Sequence, residues 1–585
     1  MPARLGRVST RVIGFLGVIV LVLAIFTVKL VDIQVVRSDA LQSEAAEQLQ
    51  ATSVITATRG RILDSNGNVL AETVLRYKVV VDQRNVADYV NSATNATISV
   101  EQVATEVAEI TGQDESVVLA SLRGTSSYSV VAEELDISTY QQIRDLDVPW
   151  FLYETEEYRT YPSGAVAGNL LGFLGSDSTA LAGIEYAQDQ CLTGTDGEET
   201  YLRSGSSSDL RIPGTTEVTQ EAVDGGDITL TIDMDVQWYA QQVAAEAAEE
   251  VDADWASIVV MDAKTGDLIA VADAPSVDPS DYLASDADDR GARSFQASFE
   301  PGSTFKSLTL ASAIEEGVTT PTSEYTVADS RTTSIGTTIS DSFTHGVMQL
   351  TTTGILRYSS NVGITELGEA MSEETRYNYL QAFGIGETTS VDFPGESSGT
   401  LTDYNDWDVH SALTEMFGQG PVAATPVQIT SAYQAIANGG ERISPRLVES
   451  CTSSDGTVTE NATSDPVQVV SEDTADQVID VLENVVNQGG APMAAVDGYR
   501  VAGKTGTAQI AENGVYLADD YALSFVGMAP AEDPQYVVGV FTYKASSDLT
   551  WDFGASFSSV MSYVLKKYDV SPSTESAEDL PITWE

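Results

Sequence analysis

The stretch RVIGFLGVIVLVLAIFTVKLV, residues 11–31, restricts what this chain can fold into more than any other feature. It carries no charge from Val12 to Val28, and about 20 predominantly apolar residues in a helix match the hydrocarbon thickness of a bilayer. In lipid every backbone N–H and C=O must be satisfied within the segment, so a single span has to be helical. The helix can run on past Lys29, whose amine can snorkel to the interface. Arg4, Arg7 and Arg11 precede the run, which predicts a cytoplasmic N-terminus. A cleaved signal peptide is the rival reading. No small-x-small site closes the apolar run, and Ser38-Asp39-Ala40 lies well beyond it, so an uncleaved anchor is expected. No second span follows. The rest of the chain is expected to fold outside the cytoplasm, tethered to the cell membrane by one helix.

A length of 585 residues allows more than one domain and a large core. With 87 acidic residues against 29 basic, the formal net charge is −58. Nucleic-acid binding needs clustered positive charge, so nucleic acid is excluded as a partner. The acids are spread along the chain and read as a solvated surface, with no catalytic role. Cys191 and Cys451 fit neither a CxxC redox motif nor a zinc site. One disulfide is allowed outside the cytoplasm, and the sequence leaves open whether the two meet. His345 and His410 are the two histidines, so the base of any acyl-transfer chemistry is expected to be another residue. No cofactor and no metal is implied.

From ITLTIDMDVQ onward the pattern changes. WASIVVMDAKTGDLIAVADAP reads as two strands around a turn at Lys264-Thr265-Gly266-Asp267, and YRVAGKTGTAQI, LSFVGMAP and QYVVGVFTYK read as three more. The region between, about 275 to 495, reads mostly as helix and loop. An α+β fold is predicted, one mainly antiparallel sheet of five strands with a helical insertion between its edges. A helix from Trp551 to Tyr568 closes it, and the acidic tail after it is expected to be disordered. Upstream, Asp64-Ser65-Asn66-Gly67 predicts a hairpin, and LRSGSSSDLRIPGTTEVTQEAVDGGD a linker or long hairpin.

Lysine is scarce, eight in the chain, so FEPGSTFKSLTLASAIEEG at 299–317 is informative. Phe305, Leu308, Ala311 and Ile314 recur at helical spacing, after Pro301-Gly302 and before Glu315-Glu316-Gly317. Ser303 and Lys306 then share one helix face, with Ser303 at the positive end. Ser303-x-x-Lys306 is the one S-x-x-K in the chain and Ser359-Ser360-Asn361 the one S-x-N, and Lys504-Thr505-Gly506 follows them. K-T-G also occurs at Lys264, ahead of the serine, where an exposed hairpin turn is expected.

S-x-x-K, S-x-N and K-T-G in this order resemble the active site of penicillin-binding proteins and serine β-lactamases. Glu300-Pro301-Gly302, FGQGP at 417–421, TPVQ at 425–428 and NGG at 438–440 match that family too. RGRILDSNGNVLA at 59–71, Arg159 with Tyr161-Pro162, and Gly183-Ile184-Glu185 resemble the non-catalytic module of class B penicillin-binding proteins. These are single-pass, monofunctional peptidoglycan D,D-transpeptidases, and the short cytoplasmic tail resembles the division-type, FtsI-like branch. The resemblance covers nearly the whole chain. It implies a cytoplasmic tail at 1–11, a transmembrane helix at 12–31 and an elongated pedestal of the dimerisation type at 32–224. A transpeptidase domain with a serine β-lactamase-like fold would follow at 225–568, then the acidic tail at 569–585. Arg59, Arg61, Asp64 and Glu185 are expected to brace the pedestal internally.

The resemblance also implies roles. Ser303 is the nucleophile, and Lys306 is its base, kept neutral by burial and by Lys504. Ser359 relays a proton and Asn361 holds the substrate amide. Lys504, Thr505, Gly506 and Thr507 receive the terminal carboxylate, and the N–H groups of Ser303 and Thr507 form the oxyanion hole. The donor is a peptidoglycan stem peptide ending in D-Ala-D-Ala, and β-lactams are covalent inhibitors. An FtsW-like polytopic glycan polymerase and other division proteins are the implied partners. Rival readings are a penicillin sensor or scaffold on the same fold, a membrane-anchored β-lactamase, and a lateral-wall elongation enzyme. Intact Ser303, Lys306, Asn361 and Lys504 weigh against the sensor, and the lack of a convincing Glu-x-x-x-Asn weighs against the lactamase. Every implied catalytic group lies after residue 300, so acylation is expected to survive loss of residues 50–220.

Overall fold

The computed structural model describes residues 6–38, 49–91, 95–203, 211–334, 336–512, 515–546 and 550–585. Arg4, the Asp39-Ala40 pair and residues 204–210 of the Ser/Gly-rich linker lie outside the described residues. Helix α1 (Gly6–Val31) contains the apolar run. It is the one helix among the described residues long and apolar enough to cross a membrane, and its apolar window is buried against nothing.

The chain forms two compact units, residues 1–58 with 194–225, and residues 59–193 with 226–585. β1 (Gln50–Ile55) belongs to the first. The chain then lays down β2 (Ile62–Leu63), β3 (Val69–Val81), β4 (Ser129–Leu135) and β5 (Leu152–Thr160) in the second. Back in the first unit, β6 (Gly197–Leu202) and β7 (Glu217–Gln220) complete an antiparallel sheet of order β1-β6-β7, with Gln50 opposite Leu202.

In the second unit, residues expected in the pedestal share a sheet with residues expected in the catalytic domain. β8 (Asp227–Leu230) runs parallel to β2, and its other edge pairs with Val448–Thr452. Ile62, Leu70, Leu171 and Ile184 are fully buried in one cluster with Val259, Met261, Val271 and Phe295. Burial of each such side chain contributes about 1.5–3 kcal/mol. Arg59 and Arg159 grip the buried Glu185 at 2.8 and 2.7 Å, the bracing the sequence suggests. Asp64 also braces its own turn, accepting from the N–H groups of Asn66 and Asn68 at 2.9 and 2.7 Å, but both it and Arg61 reach beyond the module as well. Arg61 pairs with Asp227 at 2.6 Å. The buried Asp64 accepts from the N–H of Met234 at 3.1 Å, satisfying an orphan donor at the start of α2 (Met234–Glu250). A Cys191–Cys451 disulfide joins the same two regions across 260 residues of sequence. An apolar core this continuous predicts, against the expectation from the sequence, that the catalytic part does not stand without residues 59–193. Two-residue β2 carries too little pattern to announce its partner.

The catalytic sheet is antiparallel throughout, as expected. Its strands are β9 (Trp255–Asp262), β10 (Leu268–Ala274), β11 (Ala502–Glu512), β12 (Val515–Ala529) and β13 (Tyr536–Ala545), in the order β10-β9-β13-β12-β11. Between β10 and β11 the chain forms α3 (Lys306–Glu315), α4 (Thr352–Arg357), α5 (Asn361–Gly368), α6 (Pro426–Ala437) and α7 (Glu472–Asn487). One face of the sheet shares a core with α3, α6 and α7 through Leu308, Tyr433, Leu482 and Phe541. The other packs on α2 and on α8 (Thr550–Lys567) through Ala240, Ala244, Phe557 and Val560.

Residues 569–585 are not the disordered tail that their acidity suggests. Leu580 packs on the core, Thr583 bridges Leu350, and the carbonyls of Glu578 and Leu580 accept from Asn484 and Gln488. Leu580, Ile582 and Trp584, spaced two apart among the acids, supply the anchoring that composition hides.

Candidate active site

Ser303 sits in a 3₁₀ turn, Gly302–Phe305, which leads into α3; it is not in the first turn of an α-helix. Gly302 has φ +61°, and a Cβ there would lie 2.6 Å from the carbonyl oxygen of Thr507. Only glycine permits that approach. Gly506 is equally constrained, since its Cβ would meet Ser524 Oγ at 2.2 Å and Pro301 O at 3.0 Å. The strand bearing Lys504-Thr505-Gly506 is thereby held against the serine turn, and it is an edge strand of the sheet. The other K-T-G behaves as the turn expected of it. Lys264 is 42% exposed and pairs with Asp533 at 3.0 Å.

Helix α3 is buried on all sides, and Lys306 with it. Lys306 Nζ donates to the carbonyl oxygen and, at 3.2 Å, to the Oγ of Ser359. Lys504 Nζ, also buried, donates to the same Oγ at 3.1 Å and to Thr505 O at 3.0 Å. Ser359 adopts the left-handed conformation, φ +54°, which costs a non-glycine residue roughly 1–3 kcal/mol and persists only where the surroundings fix it. Ser360 caps α5 by accepting from Gly363 N at 2.9 Å, which sets Asn361 at the head of that helix. Asn361 Nδ2 donates to Ser340 O at 3.0 Å. Ser303, Ser359, Asn361, Thr505 and Thr507 line one cleft of about 780 Å³. Lys306 and Lys504 sit behind its wall, bonded to Ser359.

Burial holds the Lys306 amine well below the usual lysine range, the charge of Lys504 lowers it further, and Asp341 opposes both. Burial alone brings Lys504 down to about 7. Near neutral pH the pair therefore offers one neutral amine and one ammonium on either side of a single hydroxyl.

Sequence reasoning passed over the loop that holds the S-x-N segment. Asp341 Oδ1 accepts from Val362 N at 2.9 Å, and its Oδ2 meets His345 Nε2 at 3.0 Å. Burial disfavours the His345 imidazolium, but its bonds to Asp341 and the Gly346 carbonyl outweigh that and raise its pKa. Phe343 and Ser342 line the cleft beside Asn361. The scarcity of histidine was the one available signal, and it pointed away from catalysis rather than toward a brace. Arg357 also lines the cleft, its guanidinium 4.3 Å over the Tyr358 ring.

A buried lysine pair converging on one serine, beside a second serine on a tight turn and against a sheet edge, defines a serine acyltransferase of the penicillin-binding type. The penicillin binding protein transpeptidase domain matches residues 256–553, and the penicillin-binding protein dimerisation domain matches residues 54–230. The chain belongs to the class B penicillin-binding proteins. Penicillin-binding protein PbpB of Mycolicibacterium smegmatis is 36% identical over 96% of this chain and 91% of its own length. Peptidoglycan D,D-transpeptidase FtsI of Escherichia coli is 28% identical over 97% of this chain and 93% of its own. Penicillin binding protein 3 of Mycobacterium tuberculosis, solved in complex with ampicillin, matches with a TM-score of 0.71 at 30% identity, covering 91% of this chain and 100% of that one.

Proposed function

We propose that this protein is a membrane-anchored peptidoglycan D,D-transpeptidase of septal wall synthesis. The observation that carries the reading is the convergence of Lys306 and Lys504 on Ser359 Oγ in the cleft that Ser303 lines. Neutral Lys306 takes the proton of Ser303 Oγ as that oxygen attacks the carbonyl between the two terminal D-alanines of a stem peptide. The N–H groups of Ser303 and Thr507 receive the oxyanion. Ser359, bonded to both amines, passes a proton to the leaving nitrogen, and the terminal D-alanine departs as the acyl-enzyme forms. Lys504, Thr505 and Thr507 receive the terminal carboxylate, with Gly506 giving the close approach, and Asn361 takes the substrate amide. An amine from a neighbouring stem peptide then attacks the ester, returns its proton through the same groups and releases the cross-linked product with Ser303 restored. A β-lactam enters as a strained mimic of the donor and stops at the acyl-enzyme.

The septal assignment draws support from the FtsI and PbpB names of the relatives. The apolar run of α1, preceded by Arg4, Arg7 and Arg11, supports a cytoplasmic N-terminus and docking on an FtsW-like polytopic glycan polymerase. Two measurements test the reading. A fluorescent penicillin should form a lasting adduct on Ser303, and rapid turnover of that adduct would instead indicate a β-lactamase. A fluorescent fusion in growing cells should gather at the division plane, and uniform labelling of the lateral wall would overturn the septal assignment.

A further inference from the structure

We propose that residues 578–584 are a positioning strap for the acylation site, an inference that rests on the roles assigned above to Ser303 and Ser359. The strap joins the end of α7 to the start of α4. Buried Asn484 donates to Glu578 O at 3.0 Å and accepts from Leu580 N at 2.9 Å, and Gln488 donates to Leu580 O at 2.7 Å. At the other end Thr351 caps α4, accepting from Gly354 N at 3.0 Å, while its own hydroxyl donates to Pro581 O and its N–H to Ile582 O. Trp584 Nε1 donates to Tyr325 O at 3.0 Å. Asn484 and Thr351 are buried, and the strap supplies partners to both.

Both tied ends lead directly into the cleft. Helix α4 ends at Arg357, two residues before Ser359, and Ser359 N still bonds Leu356 O in its last turn at 3.1 Å. Helix α7 ends just before Gln488, whose carbonyl accepts from Arg357 Nε at 2.9 Å, and Gly489 and Gly490 then line the cleft. Ser359 is in a conformation that only its surroundings sustain. With the strap gone, α4 is free to shift and Ser359 to relax, withdrawing its hydroxyl from between the two amines. Acylation then slows while drug binding, which uses the edge strand, persists. Gly354 shows how close the fit is: a Cβ there would lie 1.9 Å from Ile582 O.

The test uses the full-length protein in detergent, with fluorescent penicillin and the limiting acylation rate separated from the apparent Kd. Three variants are compared: a chain ending after Glu575, Gly354→Ala, and Trp584→Ala. The strap predicts a limiting rate about tenfold lower, an apparent Kd within about twofold, and an altered pH profile, because Ser359 no longer bridges Lys306 and Lys504. A synthetic peptide of residues 576–585 should restore the truncated chain and fail to restore Gly354→Ala. Alanine favours helix more than glycine does, so Gly354→Ala remains decisive if the truncated chain does not fold. An unchanged limiting rate and pH profile in Gly354→Ala, or in any variant that keeps its near-UV circular dichroism, overturns the strap. Absence of label on Ser303 in the intact chain overturns the functional reading itself.

Discussion

Replacing Lys504 by alanine separates two contributions of one amine. Both lysine nitrogens lie within 3.2 Å of Ser359 Oγ, so they are no more than about 6 Å apart. At an effective dielectric constant of about 20, two such charges repel by roughly 3 kcal/mol. In the intact site Lys504 keeps its proton up to about pH 7 and helps to expel the proton of Lys306, although burial of Lys306 is the larger cause. The neutral amine is the form present above its pKa. Removing Lys504 raises the Lys306 pKa, so the onset of acylation moves to higher pH. The same substitution removes a charge-assisted contact to the substrate carboxylate, at a cost of roughly 2–5 kcal/mol, or tens to thousands of times in rate. The intact enzyme should also lose acylation efficiency above about pH 7 as free Lys504 deprotonates, and that alkaline limb should vanish in the variant. The assay is the second-order rate of fluorescent-penicillin labelling across a pH series, quenched by denaturant. Lys264→Ala is the control; exposed and paired with Asp533, it should change neither limb. An onset that stays put in Lys504→Ala, or a slow Lys264→Ala, would refute the assignment.

Ser303→Ala should abolish labelling while leaving the thermal transition in place, and mass spectrometry of the intact protein should put the adduct on Ser303 and no other serine. Lys306→Met should also abolish labelling, yet raise stability at neutral pH, since the folded site excludes a proton that the unfolded chain binds. With the folded pKa far below the usual lysine range, stability of the parent rises with pH toward that range; denaturant titrations at about pH 6 and 9 should show the rise in the parent and a smaller one in the variant. Deleting residues 59–193 should yield an unfolded product, because Ile62, Leu70, Leu171 and Ile184 leave their share of the core empty; a soluble remainder with native near-UV dichroism and Ser303 labelling would show that core to be dispensable.

How far the sequence can be read depends on how local each feature is. Ser303 and Lys306 are three residues apart, and the 3₁₀ turn between them sets residues at that spacing on one side, so local geometry alone suffices there; the five strands announced themselves by alternation and turn residues. Choosing between the two K-T-G copies needed order along the chain, and the structure agrees by placing Lys504 at the cleft and Lys264 on a turn. The features that escaped are long-range. The left-handed Ser359 follows from packing between α4 and α5, and serine carries no local signal for it. Asp341 and His345 look like ordinary loop residues until Val362 N is seen to need an acceptor. The Cys191–Cys451 bond closes over 260 residues, and the strap is held by carbonyl oxygens, which every residue possesses. Acidity suggested disorder for that segment because charge counts do not register three apolar side chains at alternate positions.

The sheet of the smaller unit imposes an order of events on synthesis. The chain is synthesised in sequence, so Gln50–Ile55 emerges about 140 residues ahead of Gly197–Leu202, the strand it pairs with. Until then its edge is open, and an open edge invites pairing with other chains. Closing so long a loop is also slow relative to helix formation. Gln50, Thr52 and Val54 face solvent on that strand; the two polar side chains temper the hazard and the exposed valine keeps it. The second unit can begin collapsing around Ile62 and Leu70 in the interval, but the strand next to the anchor must wait. A segment that is among the first to emerge is thus among the last to be secured, and nascent copies need shielding at residues 50–55 until Gly197–Leu202 has followed.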